Sequence, residues 1–129
     1  MIRFALLVGS AAAGFEQTKI SLMHEKLLSD GWAENEITIF PNGVNELLLE
    51  YALNNCVEHK NAKIFLFFCV LSQDCIKDDC IVLGTDEIRK SVIAHYSAIA
   101  EKVGAEMQAV YDADGELIAE ESLGWEKVI

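Results

Sequence analysis

The chain has 129 residues, of which 52% are hydrophobic and one is proline. That is one domain's worth of core and too apolar a composition for a disordered segment. Its 21 acidic and 10 basic side chains give a formal charge of −11 at pH 7, a field that repels phosphate backbones and anionic headgroups. Nucleic acid and membrane surfaces are therefore excluded as expected partners, whereas a basic protein is favoured.

Ile2 to Val8 is a continuous apolar run closed by Gly9 and Ser10. A central parallel strand, covered on both faces, has this pattern. The run is too short for a membrane span, and a buried strand explains it better than a signal peptide does. From Glu16 to Ser29 the period changes: Ile20, Met23 and Leu27 fall on one helical face, and Gly31 stands where a left-handed residue ends a helix. Glu36 to Phe40 reads as a second strand, broken by Pro41-Asn42-Gly43. Val44 to Val57 then reads as a helix that buries Val44, Leu47, Leu48, Tyr51 and Cys56.

Lys63 to Leu71 is the most apolar stretch and the expected centre of the sheet, ended by Ser72-Gln73-Asp74. The connection from Cys75 to Gly84 has room for a short strand at Cys80 to Leu83. Thr85 is then expected to cap a long helix whose first turn carries Asp86 and Glu87 and whose inner stripe is Ile88, Val92, Tyr96, Ile99 and Val103. Met107 to Tyr111 and Glu116 to Ala119 flank Asp112-Ala113-Asp114-Gly115, a hairpin turn signal. Asp112, Asp114, Gly115, Leu117 and Glu121 also fall at calcium-loop spacing, but Val110 occupies the first ligand place and the flanks are strand-like, so the hairpin reading stands. The whole is expected to be a single α/β domain over 1–129. Its form is a three-layer sandwich with a mainly parallel sheet of four to five strands and a C-terminal antiparallel hairpin.

In such sheets ligands bind beyond the C-terminal ends of the strands. Ser10, Asn42, Ser72 and Asp74 lie at those ends and are the candidate ligand-binding residues. The Gly9 to Gly14 segment matches no phosphate-binding glycine motif, since no lysine follows it. Cys56, Cys69, Cys75 and Cys80 contain no CxxC pair and read as reduced thiols of a cytoplasmic protein. Cys69, Cys75 and Cys80 with Asp74, Asp78 and Asp79 are too loosely spaced to specify zinc. Neither a metal nor any other cofactor is expected. His24, His59 and His95 sit in helical contexts and read as surface or boundary residues.

The order of these pieces resembles the caspase-like cysteine peptidases, a clan that includes metacaspases and legumain. Phe4-Ala5-Leu6-Leu7-Val8-Gly9 is similar to their opening strand, and Leu27-Leu28-Ser29-Asp30-Gly31-Trp32 to the end of their first helix. Glu36 to Phe40 with Asn45 to Leu53 resembles their second strand and the helix after it. Phe65-Leu66-Phe67-Phe68 precedes Ser72-Gln73-Asp74-Cys75, where such peptidases carry Ser-Gly-His-Gly with the catalytic histidine. Asp74 stands in the histidine's place. If Tyr111 to Gly115 corresponds to their Asp-Ala-Cys segment, Asp114 replaces the nucleophile. Two carboxylates supply neither thiolate nor imidazole, so the resemblance implies an inactive or analogous scaffold.

The reading that follows is a non-catalytic acidic protein-interaction or regulatory domain. The alternative is a small-molecule-binding protein or hydrolase-like enzyme with its site at the strand ends. For interaction, Trp32 and Trp125 are the candidate anchors, with sealing of the core edge as their equal alternative, and Asp78, Asp79, Glu120 and Glu121 the steering charges for a basic protein partner. A homodimer would need a less charged patch, such as the outer side of the terminal hairpin.

Overall fold

The run Lys63–Val70 is the strand on which the architecture turns. Seven of its residues, Ile64 to Val70, are buried, which requires cover on both faces of the sheet. The computed structural model describes residues 2–10, 15–84, 86–113 and 116–119, with side chains described except at 15–18, 113 and 116–119. Along the chain come β1 (Arg3–Val8), α1 (Phe15–Ser29), β2 (Ile37–Phe40), α2 (Glu46–Val57), β3 (Lys63–Val70), β4 (Cys80–Leu83), β5 (Asp86–Arg89), α3 (Lys90–Lys102), β6 (Glu106–Ala113) and β7 (Glu116–Ala119). The main sheet has the order β2-β1-β3-β6-β7. Its first four strands run parallel and β7 returns antiparallel along β6.

Strand alternation sends the two faces to different partners. Ala5, Leu7, Phe65, Phe67, Cys69 and Val110 pack with Ile20, Met23 and Leu27 of α1. Leu6, Val8, Ile64, Leu66, Phe68, Val70, Met107, Ala109 and Tyr111 pack on the opposite side with α2 and α3. The three-layer α/β sandwich expected from the sequence, with its C-terminal antiparallel hairpin, is the observed fold. No helix among the described residues is long and apolar enough to cross a membrane.

The end of α1 shows how one residue redirects the chain. Gly31 adopts φ +97°, so the amide of Trp32 reaches back to the carbonyl of Leu27 at 3.0 Å. That turn tucks Trp32 into the α1-side core, where it is 7% exposed. The Arg3 guanidinium lies 4.5 Å from its ring centroid, donates from Nη2 to the Gly31 carbonyl at 2.6 Å and engages the Glu36 carboxylate at 3.1 Å. Glu36 also accepts from the Ala33 amide, and that bond, more than Arg3, holds its carboxyl below the ordinary range. Trp32 thus seals the core. It is not a surface anchor.

Two elements differ from their sequence pattern. The Thr85-Asp86-Glu87 signature predicts a helix start, yet Asp86–Arg89 is a strand paired antiparallel with β4, in a two-stranded sheet apart from the main one. Ile81 pairs with Ile88 and both are fully buried, so core burial outweighs the local capping signal. The helix begins instead at Lys90. Glu46 of α2 takes over the capping duty by accepting from the Arg89 amide at 3.0 Å. Thr85 lies outside the described residues.

The second difference is the rotation of α2. Its buried residues are Leu49, Leu53, Cys56 and Val57, with Val44 just before it, whereas Leu47, Leu48 and Tyr51 face outward. Leu47-Leu48-Leu49 makes the first turn apolar all round, and periodicity alone does not choose between its sides. The two faces are expected to separate cleanly in stability. Leu53→Ala should cost about 2–5 kcal/mol by creating a cavity, while Leu47→Ala should stay within about 0.5 kcal/mol, measured by urea unfolding. Equal losses would place Leu47 in the core and contradict the observed rotation.

Candidate functional site

The C-terminal edge of the parallel strands is built largely by main-chain contacts. β1 ends at Gly9, whose amide donates to the Phe40 carbonyl at 2.9 Å and ties the exits of β1 and β2 together. A Cβ on Gly9 would meet the Pro41 carbonyl oxygen at 2.5 Å. Only glycine permits this approach. Gly43, at φ +92°, faces the turn of the β4–β5 hairpin closely enough that an added Cβ would sit 3.5 Å from the Leu83 carbonyl oxygen. The hairpin is held there by Ile81, Leu83 and Ile88, all in the core.

The candidate ligand-binding residues meet this edge in different environments. Ser10 is buried, 2% exposed. Ser72 is half-buried, with its Oγ 4.0 Å from Cys75 Sγ across a single turn closed by the Cys75 amide on the Ser72 carbonyl. Asn42 and Asp74 are exposed. All four belong to segments that follow strand exits, as expected. Their differing burial gives the edge one enclosed hydroxyl and two solvent-facing polar groups.

The sequence reading missed the pair at the other end of this edge. It predicts Asp112 as a solvent-facing turn residue, but β6 extends to Ala113 and carries Asp112 with it, 6% exposed. In register Asp112 stands beside Cys69. Its Oδ2 lies 3.5 Å from Lys19 Nζ on α1, an ion pair joining the helix to the sheet, while Oδ1 is buried without a hydrogen-bond partner among the described residues. Glu106 Oε2 and Gln108 Oε1, at alternate positions of the same strand, are likewise buried without such a partner. The signal was legible in the alternation: Met107, Ala109 and Tyr111 are apolar, and Glu106, Gln108 and Asp112 polar, which marks one polar face. No pattern in the sequence identifies Lys19 as the ion-pair partner.

The remaining chemistry-bearing groups are engaged elsewhere or suppressed. His24 contacts Glu34, His59 lies against the Phe4 ring and His95 meets Tyr96 edge-on. Burial pushes the Cys56 thiol up to about 12, and burial followed by Asp79 and Glu87 raises that of Cys80. Both therefore remain protonated, weak nucleophiles at neutral pH. Among the described residues no group of three His, Cys, Asp or Glu side chains converges on a metal position. Asp78 and Asp79 are exposed, whereas Glu120, Glu121 and Trp125 lie outside the described residues. No family model matches the chain, and no curated protein or solved structure matches it.

Gly9→Ala should destabilise the fold by about 1–3 kcal/mol, because the Pro41 carbonyl is backbone and cannot swing aside. A denaturation midpoint equal to the parent's would show that the two strand exits are not in contact. The thiols give a second readout. Cys75 is the least buried of the four, so in the native protein it should react with a mild disulfide reagent before Cys56, Cys69 and Cys80. Simultaneous labelling of all four under native conditions would contradict the observed burial.

Proposed function

We propose that the chain is a non-catalytic, acidic protein-interaction domain of the cytoplasm, built on a caspase-like scaffold. One observation carries the reading. β3 and β6 are parallel neighbours with Val70 opposite Ala113, and the two positions that matter follow them in sequence, one after the end of each strand. In the caspase-like resemblance these are the two places that need an imidazole and a thiol, and here the residues are Asp74 and Asp114. A carboxylate pair can accept protons but offers no thiolate to form an acyl-enzyme. The charge of −11 then favours a role in binding basic proteins, with exposed Asp78 and Asp79 among the steering groups. Four cysteines outside any disulfide suit a reducing compartment.

A second reading, a small-molecule binder or hydrolase-like enzyme at the strand ends, is favoured by the enclosed Ser10 and by the buried Asp112 with its Lys19 partner. Turnover separates the two. The purified chain, incubated with fluorogenic peptides carrying acidic, basic or neutral residues at the cleavage point and with activated esters, should release no product above the buffer rate. Product release that disappears in Ser10→Ala or Asp74→Ala would transfer the function to the strand-end enzyme.

A further inference from the structure

We propose that the outward face of α2 is a docking site for a basic amphipathic helix of a partner protein; this rests on the reading that the chain acts by binding. Leu47, Leu48 and Tyr51 are 79%, 47% and 67% exposed on one side of the helix, although Leu49, Leu53, Cys56 and Val57 already supply its core contacts. A single exposed leucine is ordinary. Three large apolar side chains within two turns of one face form a patch, and patches on otherwise polar surfaces mark contacts with other molecules.

The platform is rigidly fixed. Asn45 caps the helix by accepting from the Leu48 amide at 2.8 Å. Glu46 grips Arg89 of β5 through both carboxylate oxygens, at 2.6 and 3.2 Å, as well as the Arg89 amide. Arg89 in turn holds the Glu46 carboxyl below its ordinary range. From α3, Tyr96 lies beside Asn54 and Glu50 of α2. The side chains of α2 that face its neighbours are thus committed, and Leu47, Leu48 and Tyr51 stand on a surface that does not need to reorganise.

The charge around the patch selects the occupant. Glu46 and Glu50 stand on the helix, Glu58 at its end, and Asp86 and Glu87 on β5, which packs against it. Among the cations, Arg89 forms a neutral pair with Glu46, Lys90 at the start of α3 sits over the Tyr111 ring, and Lys60 lies beyond the helix end next to His59, which leaves Glu50, Glu58, Asp86 and Glu87 as the acidic excess. A second copy would bring the same acidic rim against itself in a chain of charge −11. A partner with lysine and arginine flanking its apolar stripe completes both the rim and the centre. The patch follows one helix, with Leu47 and Tyr51 a turn apart and Leu48 beside them, a ridge that fits between the side-chain rows of another helix.

The test uses the full chain and two synthetic helical peptides with identical leucine spacing, one flanked by lysine and arginine and the other by aspartate and glutamate. The basic peptide should bind saturably, shift amide resonances of α2 and β5, and weaken as salt rises, while the acidic one should not bind. Leu47→Ser and Tyr51→Ser should each weaken the basic peptide by about tenfold or more with the melting temperature unchanged, since neither side chain packs in the core. Equal binding of both peptides, no binding of either, or shifts confined to another surface would overturn the proposal. So would self-association that the same substitutions abolish, because it would assign the face to a second copy. Each of these outcomes leaves the non-catalytic reading standing or falling on its own turnover assay.

Discussion

Everything in this fold depends on burying β3 on both sides. Its alternation gives Phe65, Phe67 and Cys69 to one layer and Ile64, Leu66, Phe68 and Val70 to the other, so neither helical layer is dispensable. Each large side chain removed from water contributes about 1.5–3 kcal/mol, and this strand concentrates more of them than any other described. The neighbouring strands are placed by this demand. β6 pairs with β3 along its whole length and β1 from Lys63 to Phe68, and Arg3, Lys63 and Glu106 begin together at one end. The strand exits therefore form a common edge at the other end, where Gly9, the Ser72–Cys75 loop and Asp112 come together.

The two layers are unequal. α2, α3 and the β4–β5 hairpin share one face, and the apolar positions of β1, β3 and β6 on that side are continuous. On the other side α1 covers β1 and β3, and β6 presents Glu106, Gln108 and Asp112 with Val110 as its one large apolar contribution. Lys19 reaches across to Asp112, so charge adds to the packing of Val110 in joining the helix to this strand. The strand-end edge inherits this asymmetry, with an apolar hairpin on one flank and an ion pair on the other.

What the sequence revealed follows from how local each signal is. β1 and β3 were legible because a continuous apolar run between polar stops leaves no other place for itself, and the end of α1 because Gly31 supplies a backbone conformation that few residues adopt. The β6–β7 hairpin was legible from its turn residues. The rotation of α2 was not, because a helix beginning Leu47-Leu48-Leu49 has two apolar sides and only its neighbours decide which one is covered. β5 was hidden behind a helix-capping signature, overridden by the pairing of Ile81 with Ile88 and by a cap that Glu46 supplies from a distant element. Of the candidate site, the residues at strand exits were found by the general rule for parallel sheets. Asp112 was missed because its strand runs farther than expected, and of the two readings of Trp32 the structure takes the buried one, because the Gly31 turn carries it into the α1-side core.

The strand order also has a consequence during synthesis. β3 emerges before its neighbour β6, which lies beyond α2's partner helix and a second small sheet, so for a time one edge of Phe65-Leu66-Phe67-Phe68 has no strand to pair with. A short, aromatic, uncharged segment with an open edge is a template for pairing with another chain. Lys63 at its start and Ser72-Gln73-Asp74 just past its end bracket it with polar groups that interrupt such growth. The same few residues that mark where the strand stops also act as gatekeepers against aggregation while the sheet is still incomplete.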